Sequence, residues 1–457
     1  MKMGNVKLFL LTSLILAFLN ITWSQGLQPQ VADERVTTVT PIVVAAVGRV
    51  ARIGELYDAR SDQFLHISMT ENNLPAGTIQ STENKHSNIK YLKMNTLEEK
   101  LTSLNVQAEL KLSVLGGLVQ VSGSGKFLSD KKHSSRSVQV SLAASMLTEV
   151  ESVDFTNKDE KRLIDMDVLE EIDATHVVVG IQWGGNVFIS VEDSNYEGSD
   201  QLTVAGSLSA KLEMLFASVG ASGEVSVNDT LINEYNRYSF EIYGDILPPE
   251  MPVTLVDAVV LMKTSARLLT EGNLGKGKAV SYTLLPLELY RQLLGVEASI
   301  SIILKSINEG TINSFVKWFD EMNIVDQQVE DLLTQRRQYQ NYVAKEKLDE
   351  IVTFSENYDN YRYQVKLTLA EALIKVRSGN ETIDQLINVL NEANNHELSP
   401  KKIDFEQFST LQAEFKFLKF LFDLQVKVLD KGTSFQEFML EHFNKNIFLH
   451  RRVSKLN

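Results

Sequence analysis

Proline and glycine almost disappear from this chain after Pro286, and that loss constrains the fold more than any motif. Seven of the eight prolines and 20 of the 24 glycines lie at or before Pro286; the remainder holds Pro400, Gly295, Gly310, Gly379 and Gly432. Both residue types interrupt regular elements, so the C-terminal part is expected to form long helices. The spacing predicts helices from Gln292 to about Gln335, from about Gln338 to Arg377 and over Ile383–Ala393. Ser399-Pro400 then separates a last helix, whose stripe Phe408, Leu411, Phe415, Leu418 and Phe422 steps by three and four, with Gly432 placed to cap it. Helices joined by short connections read as a bundle.

The part before Pro286 is mixed, which makes the whole chain α+β. Thr175 to Val191 reads as two strands, Val177-Val178-Val179 and Val187 to Val191, on either side of Trp183-Gly184-Gly185. Tyr235 to Ile246 alternates as a strand, Asp245 to Pro252 is a loop and Leu255 to Leu269 a helix.

Two stretches alternate for longer than an ordinary strand needs. Leu104, Val106, Ala108, Leu110, Leu112 and Val114 fall on one face, opposite Asn105, Gln107, Glu109, Lys111 and Ser113. Leu202, Val204, Leu208, Ala210, Leu212, Met214 and Phe216 share a face opposite Thr203, Ser207, Ser209, Lys211 and Glu213. One apolar and one wet face over about ten residues is what a membrane-crossing β-strand requires. The first stretch also fits a helix, because Leu104, Ala108, Leu112, Leu115 and Val119 recur at helical spacing.

The chain opens with Lys2 and Lys7, an apolar run from Leu8 to Leu19, and small residues at Thr22 and Ser24. This is expected to be a secretory signal over residues 1–24, the rival reading being an uncleaved anchor. There is no cysteine, so no disulfide and no thiol chemistry. The formal charge is −14, and losing Lys2 and Lys7 with the signal makes it −16. An acidic chain is a poor nucleic-acid binder, and any contact with an anionic membrane must be local. Asn228 and Asn380 open glycosylation sequons.

Catalytic chemistry is hard to find. The seven histidines are scattered, and none forms a metal-binding pair. His176 beside an apolar run reads as structural rather than as a base. Gly123-Ser124-Gly125-Lys126 and Gly275-Lys276-Gly277-Lys278 lack the rest of a phosphate loop and read as turns. Asp165, Asp167, Glu170, Glu171 and Asp173 lack the spacing of a calcium loop and read as a solvated helix face. No catalytic residue, metal site or cofactor is therefore assigned, and the chain reads as something other than an enzyme.

Several segments resemble, in order, the stonustoxin/verrucotoxin family, within the perforin and cholesterol-dependent cytolysin superfamily (MACPF/CDC). Gly48-Arg49 with Leu56-Tyr57-Asp58-Ala59-Arg60-Ser61-Asp62 is similar to the family's opening segment. Leu104-Asn105-Val106, Leu115-Gly116-Gly117-Leu118-Val119 and Gly123-Ser124-Gly125-Lys126-Phe127-Leu128 resemble its first membrane-hairpin region. Ala174-Thr175-His176-Val177-Val178-Val179-Gly180-Ile181-Gln182 resembles its central strand, and Leu284-Leu285-Pro286-Leu287 the join to its helical domain. The resemblance spans roughly residues 40 to 300 and continues more weakly into the C-terminal helices.

The resemblance implies a MACPF/CDC-like domain over 40–287 with a bent antiparallel sheet between two helical clusters. It implies a helical bundle over 290–457 like the family's focal-adhesion-targeting-like domain. The clusters would refold into two amphipathic hairpins per subunit, about residues 104–128 and 202–227, in an oligomeric barrel, since only closed barrels let strands cross lipid. Gly184 and Gly185 lie near the superfamily's hinge for sheet opening; a β-bulge is the other reading. The family's thioredoxin-like and PRYSPRY domains are expected to be absent, with recognition coming from elsewhere. The expected function is a secreted, extracellular, pore-forming or membrane-perturbing toxin-like or defence protein. Its expected partners are a lipid membrane and further homo- or hetero-oligomer subunits. The alternative is a non-lytic secreted binding or structural protein that keeps the fold.

Overall fold

The computed structural model describes residues 40–69, 77–93, 95–132, 134, 137–155, 172–193, 201–220, 223, 237–269, 273–294 and 304–426, with single positions between 428 and 440. The signal-like segment 1–24, Asn228, His133, His442, His450, Asp165, Asp167, Glu170, Glu171 and Gly432 lie outside the described residues.

Three short strands, β1 (Ile42–Ala45), β2 (Glu55–Asp58) and β3 (Gln63–Ser68), precede the long β4 (Ile79–Leu92). Helices α1 (Leu97–Ser103) and α2 (Ala108–Gly116) follow. The Thr96 hydroxyl caps α1 by accepting from the Glu99 amide at 3.2 Å, and Glu98 and Glu99 complement the helix dipole. A 3-10 stretch, Gly123–Ser129, stands where the sequence reads as a turn, and leads into β5 (Val138–Val153).

The centre is β6 (His176–Asp193), one strand of 18 residues rather than two. It is followed by α3 (Gln201–Ser218), β7 (Tyr238–Gly244), α4 (Leu255–Leu268) and β8 (Lys278–Pro286). A capping box between Thr254 and Asp257 starts α4.

Helices α5 (Leu287–Leu294), α6 (Glu309–Tyr339), α7 (Lys345–Arg377), α8 (Asp384–Asn395) and α9 (Ser409–Asp423) complete the chain. Helix α6 begins at an Asn308 cap rather than near Gln292. Helix α9 buries Leu411, Phe415 and Leu418 as its spacing predicts. It stops at Asp423, short of Gly432, because Gln425 turns left-handed at φ 56° and the Val426 amide bonds back to the Leu421 carbonyl at 2.9 Å.

Among the described residues every strand pair is antiparallel. One edge of β6 pairs with β2 and then with β5; the other pairs with β8 up to Gly184 and with β7 from Val187. The partner therefore changes at Gly184-Gly185-Asn186. Register shifts fall in neighbouring strands at the same level: Glu83/His86 in β4, Leu147/Val150 in β5 and Gln182/Trp183 in β6. Bulges bend and twist their strands, so the bend crosses the sheet here.

The two faces of the sheet carry different cores. Val140, Leu142 and Ala144 of β5 and Ile189 of β6 pack with α3 and α4. Ala143 and Phe188 belong to a larger core shared with α1, α2, α6 and α7, where Phe127 stacks on Phe188 with ring centroids 4.3 Å apart.

Candidate functional site

Four strand ends meet at one end of the sheet. Ser141 of β5 pairs with Leu92 of β4, while Asp193 of β6 pairs with Val138 of β5 and Tyr238 of β7. The first helical segment joins β4 to β5 and the second joins β6 to β7, each linking antiparallel neighbours. Each segment thus stands where the loop of a longer hairpin would stand.

The first segment is helical rather than extended. Leu104, Val106, Leu110 and Leu112 are buried, Val114 is half-buried and Ala108 exposed. Asn105 links the helices at φ 51°, a conformation asparagine tolerates. Apart from exposed Asn105, the wet face of the alternating pattern is occupied by tertiary contacts. The Gln107 Oε1 accepts from the Ala45 amide at 2.8 Å, and Lys111 pairs with Glu98 at 2.7 Å. The Glu109 carboxylate accepts from the Ile307 amide at 3.3 Å, and burial raises its pKa above the usual carboxylate range.

Beneath this segment lies a buried polar cluster. Arg377, 1% exposed at the end of α7, donates to Asp62 and to the Ser113 hydroxyl at 2.8 Å each, and to the Glu109 carbonyl at 2.8 Å. Tyr57 and Ser113 also donate to the Asp62 carboxylate. A second cluster surrounds buried Asp130, which accepts from Ser190 at 2.6 Å, Gln139 at 3.2 Å and Tyr243 at 3.1 Å. Lys100 reaches the Asp130 carbonyl at 2.6 Å, and burial lowers its pKa despite that partner.

The second segment is one helix, α3. Leu208, Leu212, Leu215 and Val219 form its buried stripe, Val204 and Phe216 are half-buried, and Ala210 and Met214 are exposed. The backbone of Leu202 is helical. Residues two apart point to opposite sides of a helix, so the shared face of the alternation is split. Leu215 and Val219, absent from the alternating set, complete the helical period. That period was visible in the spacing of Leu208, Leu212, Leu215 and Val219.

Gly184 and Gly185 sit at the partner change in β6. A Cβ on Gly184, at φ 157°, would lie 2.0 Å from the Met146 carbonyl oxygen, and one on Gly185 would lie 2.9 Å from Leu269. Asp245 replaces the missing strand there, accepting from the Asn186 amide at 2.9 Å and the Ser124 amide at 3.1 Å. The bend is thereby tied to the 3-10 stretch of the first segment. Asn380 is exposed in the turn between α7 and α8. His176 is buried, contacts the Thr175 hydroxyl at 2.8 Å and is lowered by burial to about 4. Of the acidic group, Asp173 pairs with Arg60 at 2.9 Å.

Among the described residues no helix is long and apolar enough to cross a membrane, and no acidic or histidine cluster is placed to hold a metal ion.

The family model for the SNTX, MACPF/CDC-like domain matches residues 41–318, well over half of the chain. The chain belongs to this family. Neoverrucotoxin subunit beta of Synanceia verrucosa is 28% identical over 361 residues, covering 77% of this chain and 49% of the relative. Cytolytic toxin-beta of Scorpaena plumieri is 31% identical over 221 residues, 48% of this chain and 31% of the relative. A solved stonustoxin structure aligns with a TM-score of 0.56 at 20% identity, covering 86% of this chain and 52% of that one. This SNTX-family chain spans about half the length of the curated relatives it matches. What sequence reasoning missed in it is the polar clusters: Arg377 and Asp62 lie 315 positions apart, and no local pattern links them.

Proposed function

We propose that this protein is a secreted membrane-perforating protein. Its sheet domain would be residues 40–287 and its helical domain residues 290–457. Residues about 104–128 and 202–227 convert to amphipathic hairpins that lengthen β4–β5 and β6–β7. Several copies, or copies with a second subunit, close these strands into a barrel in the bilayer. The observation that carries the reading is the alignment of four strand ends at one end of the sheet, each antiparallel pair joined by a segment that also alternates. Either segment exceeds the 9–11 residues per strand that a tilted crossing needs. Membership of the family and the toxin names of its relatives support the same reading, and their alpha and beta subunits support assembly. Gly184 and Gly185 serve as the hinge by which the sheet opens.

The non-lytic alternative draws on the first segment, whose wet-face side chains already hold tertiary partners. One experiment separates the two. Single cysteines at Leu110 and Lys111, and at Leu212 and Lys211, carry an environment-sensitive dye in the cysteine-free background. Insertion predicts lipid signals at Leu110 and Leu212, water signals at Lys111 and Lys211, and release of vesicle contents. Unchanged signals with intact vesicles of several compositions would leave the non-lytic reading standing.

A further inference from the structure

The two segments are held very differently. Gly116 of α2 sits against the α7 backbone, and a Cβ there would lie 3.5 Å from the Ala370 nitrogen and 3.6 Å from its Cα. Arg377 of α7 binds Ser113 and the Glu109 carbonyl. Glu109 accepts from Ile307, just before α6, and Asp320 of α6 accepts from the Leu97 amide at 3.1 Å. Lys131, beyond the 3-10 stretch, pairs with Asp326 of α6, which also holds Arg362 of α7. These ties span the first segment from Leu97 to Lys131. Leu110 and Leu112 share their core with Phe315 of α6 and Leu369 of α7.

The second segment packs in a separate core with α4, β5 and β6. Among the described residues, two of its polar ties lie toward solvent: Lys211 with the Tyr238 hydroxyl at 3.3 Å, and Glu213 with Lys93 at 3.4 Å, both of the latter side chains half or more exposed. Its outer face is open, with Met214 51% exposed.

We infer that the helical hairpin α6–α7 locks the first segment, so the two segments leave the sheet in order. Helix α3 goes first, and α1–α2 follows only when α6–α7 is drawn away. Releasing α2 while the hairpin stays would strip Arg377 of its Ser113 and Glu109 partners and expose the core that Leu110 and Leu112 share with Phe315 and Leu369. Releasing α3 also breaks apolar packing, but the polar ties it gives up are solvent-screened and weak. The inference rests on the insertion reading, but the lock itself can be tested without a membrane.

In buffer, amide exchange over residues 108–116 is expected to be at least ten-fold slower than over 208–216. Arg377→Met should narrow that difference by speeding exchange over 108–116 and leave 208–216 unchanged. Equal rates in the parent protein would overturn the lock, whatever happens on membranes.

On phosphatidylcholine–cholesterol vesicles the pair Gly116→Cys/Ala370→Cys serves as the second variant, chosen because a Cβ on Gly116 lies 3.6 Å from the Ala370 Cα, with formation of the disulfide checked by mass before use. Oxidised, it should release contents at least ten-fold more slowly, with 201–218 deprotected and 97–116 still protected. Reduction should restore release. Release at the parent rate when oxidised, or opening of 97–116 before 201–218, would sink the proposed order. A reduced protein that neither releases contents nor changes at either segment would refute insertion while leaving the exchange test of the lock intact.

Discussion

Three residues show how single positions hold this sheet. Gly184 has no room for a side chain, because a Cβ would meet the Met146 carbonyl at 2.0 Å. Gly184→Ala is expected to lower stability by about 2 kcal/mol or more, read as an earlier urea midpoint at unchanged slope. Arg377→Met leaves Asp62 buried without its cation and should cost about 3–5 kcal/mol, part of it recovered by adding Asp62→Asn. His176 makes stability depend on pH. Its folded value of about 4 lies below the 6.5 of an unfolded histidine, although Asp62 and Asp58 pull it the other way. Between these values the unfolded chain binds more protons, so its contribution is complete above about pH 6.5 and is lost as pH falls toward 4. The loss should reach about 3 kcal/mol, and His176→Gln should flatten that part of a urea-midpoint profile.

At the scale of elements, helix and strand make opposite predictions for the second segment. A strand would place Leu212 and Met214 on one buried face, whereas α3 buries Leu212 and leaves Met214 51% exposed. Leu212→Ala should therefore cost about 2–5 kcal/mol and Met214→Ala less than about 0.5 kcal/mol in denaturant titrations of the soluble protein. Equal costs would mean that the alternation, and not the helical stripe, rules the soluble form. The strand β6 makes the complementary point. It runs unbroken through Trp183-Gly184-Gly185 because β5 pairs with it on both sides of the glycines, while the opposite partner passes from β8 to β7.

In the whole molecule the sheet and the helical hairpin share one core, with Phe127, Ala143 and Phe188 in the same cluster as Phe315 and Leu369. Domains that share a core unfold together. Thermal unfolding followed by hydrogen exchange at 309–377 and at 138–153 should give coincident midpoints, and Phe315→Ala should lower both. Separate transitions would show that the hairpin leaves the sheet without unfolding it, taking Arg377 with it.

The sequence by itself determined the α+β class, the helical C-terminal part and the strand character of Val177–Val179 and Val187–Val191, though not that these join into one strand. Each follows from local information: where proline and glycine are missing, where apolar residues step by three and four, and where β-branched runs occur. It also marked Leu104–Val114 and Leu202–Phe216 as segments carrying a β-period, the first of them with a helical period as well. Tertiary structure alone decided which period wins in this form. Leu208, Leu212, Leu215 and Val219 find a complementary face on α4 and β5, and Gln107, Glu109 and Ser113 find partners in β1, the approach to α6 and the end of α7. Those partners lie up to hundreds of positions away in the chain, so no spacing within either segment encodes them. A pattern within one segment states which faces it can offer, and burial against distant elements selects the face that is used.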